Sequence, residues 1–176
     1  MAALRAAHDP SAAEGVPAHI TLLFPFRTAA DIDDDALARA RAIAAGARPF
    51  DFTLARIGRF DGTIYLAPEP AAPFVALTQA LAGAFPEHPP YGGLHRDIVP
   101  HLTVARGDAA VLDRVESELA TAWPARGIAA RATDFILIAN DTGRWRTLHR
   151  FALQRLGTTI ARGHRPRASN PEGGDP

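Results

Sequence analysis

Two short stretches place a histidine, an aliphatic residue, a threonine and a second aliphatic residue in the same order: His19-Ile20-Thr21-Leu22 and His101-Leu102-Thr103-Val104. In an extended strand alternate side chains share a face, so His19 lies with Thr21 and His101 with Thr103, while the aliphatic residues point the other way. Each stretch thus offers one imidazole and one hydroxyl together. Two such pairs turned toward one cleft suit a phosphodiester. One histidine takes a proton from the incoming oxygen and the other gives one to the leaving oxygen, and an imidazole with an unperturbed pKa near ~6.5 does either near neutral pH. The threonine hydroxyls donate to the nonbridging phosphate oxygens. This chemistry calls for no metal and no other cofactor.

Strand-start histidines and threonines are also ordinary sheet residues. At this composition two such matches arise by chance with a probability of roughly 2%, and each motif follows a proline closely, in VPAHIT and VPHLTV.

The elements that must hold the motifs follow from hydrophobic periodicity and turn residues. Residues 2–7 read as a short helix and HDPSAAEGVP as a loop. AHITLLFPF reads as a buried strand opened by His19 and ended by Pro25, with Phe24 and Phe26 turned into the core. Acidic residues at the start of DIDDDALARARAIAAG, with Gly46 at its end, are helix start and stop signals. PFDFTLARIGRF and TIYLAP form two antiparallel strands joined at Asp61-Gly62. A helix over AAPFVALTQALAGAF and a long loop, PEHPPYGGLHRDIVP, lead to the second motif strand. A helix from about 108 to 122 and strands around 128–139 and 145–156 complete the organised chain, with NDTG as the turn between the last two. The order motif strand, helix, two strands thus occurs twice.

The chain has 176 residues, the size of one domain, and is 47% hydrophobic with 19 basic and 19 acidic side chains, so it has no global field for drawing in a polyanion. Every basic residue other than histidine is arginine, and there is no cysteine. That excludes a disulfide framework, a thiolate nucleophile and a cysteine zinc site. No stretch has the apolar length of a signal peptide or a membrane span. A cytoplasmic protein without membrane contact, and a monomer, is expected. Residues 157–176 are expected to be a flexible Pro, Gly and Arg tail behind a domain spanning 1–156.

Beyond the motifs, Tyr91 with Gly92 and Gly93 lies in a loop placed to line the cleft or stack a base. Arg27 and Arg106 follow their motifs closely enough to approach a phosphate. His88, His95 and His101 with Asp97 have spacings that match no familiar metal-ligand pattern. HRD at 95–97 lacks the glycine-rich loop, lysine and DFG of a kinase. His8 and His149 read as structural or exposed.

The two HxTφ motifs (φ apolar), LLFPF after the first, and PPYGG with VPHLTVA at the second resemble the 2H phosphoesterase superfamily, specifically its bacterial 2′-5′ RNA ligase-like branch, over roughly Leu4 to Leu156. The resemblance implies an α+β fold of two pseudo-symmetric lobes, each an antiparallel sheet with outer helices, around a central cleft. It implies a metal-independent enzyme that opens 2′,3′-cyclic phosphates or acts on 2′-5′ linkages of nucleotides or RNA ends. His19 and His101 would be catalytic, and Thr21 and Thr103 would bind phosphate. Chains of this family begin with an apolar strand ahead of the first helix, whereas this one starts in the helix. A noncatalytic nucleotide- or RNA-binding module with the same cleft is the alternative, and a zinc hydrolase a third reading.

Overall fold

The computed structural model describes residues 2–95 and 97–154. Helix α1 spans Ala2–His8 and a short α2 spans Pro10–Ala13, where the sequence suggested only a loop. The Asp9 carboxylate accepts the Ser11 N–H and so caps α2, a role for which aspartate is favoured. Helix α3, Asp34–Gly46, starts where its acidic run predicts: Asp33 accepts the Ala36 N–H at 2.7 Å, and Asp34 and Asp35 occupy the first turn. It buries Ala36, Leu37, Ala40 and Ala44 along one face.

Strands β1 (Phe50–Phe60) and β2 (Thr63–Glu69) form the expected hairpin, with Gly62 at φ 68° in the turn. Helix α4 spans Ala72–Ala84, β3 spans Leu102–Arg106 and α5 spans Ala109–Ala122. The stretch expected as one strand over 128–139 is two, β4 (Ile128–Ala132) and β5 (Asp134–Ala139), and β6 (Arg146–Ala152) follows. The break has a topological cause. Strand β4 pairs with β1 in a four-stranded antiparallel sheet ordered β3-β2-β1-β4, whereas β5 pairs with β6 in a separate two-stranded sheet. The chain changes sheets at Thr133.

The class is α+β, as expected, built on two antiparallel sheets of unequal size. The larger sheet and α5 enclose Leu54, Ile64, Leu66, Val104, Leu112, Val115 and Leu119, with Leu4 and Ile20 packed against them. A second cluster joins Leu37, Ala40 and Ala44 to Leu77, Phe151 and Leu153. A third brings Ala36 of α3, Leu81 of α4 and Phe85 together.

One expectation is overturned. The first motif is not a buried strand: residues 16–28 contain no strand, and His19 to Leu23 are half-buried. Its residues favour extended backbone, but a strand also needs an adjacent edge to pair its N–H and C=O groups. Aliphatic anchoring takes the place of pairing, with Ile20 packed on the large-sheet core and Leu22 on the other two clusters. Phe26 packs edge-on to Phe85, ring centroids 5.0 Å apart, as a core residue should. Phe24 is exposed instead, because strand alternation does not continue through this segment. The expected tail, 157–176, lies outside the described residues.

Candidate active site

The two motif histidines are held in the same way. His19 Nδ1 donates to the Pro17 carbonyl at 2.8 Å, and His101 Nδ1 donates to the Val99 carbonyl at 2.7 Å. A carbonyl only accepts, so both rings carry their proton on Nδ1 when neutral and present Nε2 as a lone pair. The shared device comes from the Pro two residues before His19 and the Val two residues before His101, within the VPAH and VPH phrases. At the first motif, His19 Nε2 lies 3.1 Å from Thr21 Oγ1, so the hydroxyl donates to it.

Tyr91 links the motifs. Its phenol is near enough to Thr21 to be affected by that hydroxyl, and its ring lies 6.3 Å from the His101 ring at 22°. Burial pushes the phenol above its usual pKa, partly offset by the Thr21 contact and the charge of Arg106. Tyr91 thus keeps its proton. The backbone there is unusual: Tyr91 has φ 53° and ψ 34°, the left-handed region that non-glycine residues rarely enter. Its N–H is fixed to the Phe24 carbonyl at 2.6 Å.

Burial lowers the His19 pKa, with Pro17 and Asp9 raising it and Arg5 and His101 lowering it. His101 is thus close enough to act on the His19 ring.

The large sheet supplies an aromatic floor that the sequence reading missed. Tyr65 is the register partner of Thr103 on one side and Gly58 on the other, and its ring stacks on Phe60 with centroids 4.2 Å apart at 23°. Both rings meet the His101 imidazole edge-on, Phe60 at 5.1 Å and Tyr65 at 5.5 Å. A Cβ at Gly58 would lie 2.3 Å from Tyr65 Cζ, so the bare glycine makes room for the ring. The signal was present in TIYLAP, where Ile64 and Leu66 are fully buried and Tyr65 between them must face the other way. Missing was the register that places it beside Thr103.

Of the two candidate arginines, Arg106 is exposed, makes no ion pair among the described residues and is close enough to affect Tyr91. Arg27 already has two carboxylate partners, Asp33 and Glu87, each at 3.0 Å, and lies over the Phe85 ring. Its charge is taken up in fastening the segment after the first motif to the start of α3. Among the described residues no three His, Asp or Glu side chains gather as a metal-ligating group, and no helix is long and apolar enough to cross a membrane.

An α+β scaffold with two antiparallel sheets and two histidine–threonine motifs is in keeping with the 2H phosphoesterase class. The chain belongs to the 2'-5' RNA ligase superfamily, whose sequence model matches residues 1–144. Among solved structures it is similar to TT0787 of Thermus thermophilus, at 21% identity and TM-score 0.57, over 86% of this chain and 92% of that one. It is similar also to E. coli LigT solved with 3'-AMP, at 20% identity and TM-score 0.53, over 88% and 94%. LigT solved with NADP+ aligns at 22% identity and TM-score 0.51, over 87% and 88%. At these identities the likeness is one of fold. No match is found among curated proteins.

Proposed function

We propose that this protein is a metal-independent phosphodiesterase that acts on 2′,3′-cyclic phosphates or 2′-5′ linkages of nucleotides or RNA ends, with His19 and His101 as its acid–base pair. The observation that carries the reading is the matched tautomer: each Nδ1 is tied to a backbone carbonyl, so in each ring Nε2 is the nitrogen that can exchange a proton with a ligand. In hydrolysis of a cyclic phosphate, the neutral Nε2 of one histidine takes a proton from water as its oxygen bonds to phosphorus. The Nε2–H of the other, protonated histidine passes to the departing ribose oxygen as the P–O bond breaks. Thr103 donates to a nonbridging oxygen, Thr21 does so by turning its hydroxyl from His19 Nε2 to the phosphate when substrate binds, and Arg106 supplies a positive charge nearby. Phe60 and Tyr65 offer a face for a base beside the reacting phosphate. The nucleotides bound by LigT, 3'-AMP and NADP+, support a nucleotide as substrate. The chain is read as a cytoplasmic monomer.

A noncatalytic nucleotide-binding module is the second reading, favoured by the absence of strand pairing around the first motif. Incubating the protein, with chelator, with 2′,3′-cyclic nucleotides and 2′-5′-linked oligonucleotides separates the two. Turnover that survives chelator and falls by about 10²–10⁴-fold in both His19→Ala and His101→Ala is expected. Binding without turnover by the wild type would overturn the enzymatic reading in favour of the second.

A further inference from the structure

We propose that the buried Arg5–Asp9 ion pair is a positioning device for His19, fixing its backbone support and balancing the charge around its ring. The inference rests on the acid–base role proposed for His19.

Arg5 and Asp9 are 7% and 2% exposed, the two charged side chains found in the buried interior among the described residues. Asp9 Oδ1 accepts from the Ser11 N–H at 3.1 Å and the Ser11 hydroxyl at 2.7 Å. Its Oδ2 has no hydrogen bond and faces Arg5 Nη2 at 2.9 Å. Arg5 Nη1 donates to the Val16 carbonyl at 2.8 Å, and the Val16 N–H is tied to the Ser11 carbonyl at 3.0 Å. The next carbonyl in the chain, Pro17, holds His19 Nδ1. One guanidinium therefore anchors the peptide immediately before the one that orients the imidazole. A segment without strand partners needs such an anchor.

Stability alone does not call for an ion pair here. Desolvating two charges offsets most of their attraction, and apolar residues of similar volume are often as stable in such a place. What an ion pair adds is a balanced field. The charged groups acting on His19 are Arg5, which lowers its pKa, Asp9, which raises it, and His101, which lowers it. Arg106 and the Tyr91 phenol stand one step further, through Thr21. Removing one member of the pair exposes His19 to the other's unbalanced charge, and removing both restores near-neutrality.

The test is the NMR titration midpoint of the His19 ring in the full chain, assigned by difference from His19→Gln, for wild type, Asp9→Asn, Arg5→Gln and the double variant. Asp9→Asn is expected to lower the midpoint and Arg5→Gln to raise it, each by about half a pH unit or more, with the double variant returning toward wild type. The acid limb of kcat/KM should move with it. Unmoved midpoints in folded variants, or shifts in the same direction, would overturn the proposal and leave the pair a purely structural contact. Should Arg5→Gln fail to fold, the near-isosteric Asp9→Asn decides alone, a downward shift supporting the proposal and any other result refuting it. The titration needs no substrate, so a protein that turns nothing over still gives the answer, and loss of the proposed chemistry is read separately.

Discussion

The Tyr91 ring lies nearly parallel to the His101 imidazole, centroids 6.3 Å apart, while its hydroxyl is near enough to Thr21 of the other motif to be affected by it. One side chain thus stands near both motifs. Because His19 Nδ1 is committed to a carbonyl, Thr21 donates to Nε2, and the Tyr91 phenol lies near that hydroxyl. The two hydroxyls are neighbours, so their effects on His19 should be coupled. Tyr91→Phe, which keeps the ring, should lower kcat about 10-fold with little change in KM. Combined with Thr21→Val, it should cost no more than the larger single loss, because coupled neighbours are not additive. Steady-state kinetics of the two singles and the double check this, and additive losses would mean that the two hydroxyls act independently.

Gly58 should be sensitive to one added methyl group. Its Cβ would lie 2.3 Å from Tyr65 Cζ, so Gly58→Ala must displace the ring from its stack on Phe60. Base stacking is worth about 1–3 kcal/mol. If the aromatic pair carries the base, KM for a nucleotide substrate should rise about 10-fold or more. A phosphodiester substrate lacking a base should be affected much less. Equal loss on both would mean that the ring supports His101 rather than the ligand.

Much of this was legible in sequence where the deciding interaction is local. Asp33 and the acids after it mark the start of α3, Asp61-Gly62 marks the hairpin, and the phrase HxT marks the chemistry. What was not legible depends on non-local pairing. The residues of the first motif have strand propensity but no edge beside them, so the strand is absent and Phe24 is exposed. Strands β4 and β5 run almost without interruption in sequence and divide at Thr133 because two different sheets claim them. Tyr65 becomes part of the site through its register with Thr103. The i,i+4 spacing of Arg5 and Asp9 is visible in the chain, whereas their burial is a tertiary property.

The core of the large sheet sets a stability expectation independent of function. Leu112 is 2% exposed, between Val104 and Ile64 of the sheet and Val115 and Leu119 of its own helix. Leu112→Ala should cost about 2–5 kcal/mol, read from denaturant unfolding. A cost below about 1 kcal/mol would mean that α5 is not packed on the sheet as described.

The lowered pKa of His19 makes a signed prediction for both activity and stability. In the folded state burial holds the imidazole below its ordinary value of 6.5, the value it regains on unfolding. Between the two values the unfolded chain binds more protons, so stability rises with pH through that window. Above 6.5 no cost remains, and as pH falls through the folded-state value the full cost is reached. His19→Gln should therefore flatten the stability–pH slope just below 6.5. If neutral His19 is the base, the acid limb of kcat/KM should also fall below 6.5, and the two midpoints should coincide. A limb at or above 6.5, with the stability slope still present in the wild type, would mean that His19 is not the base.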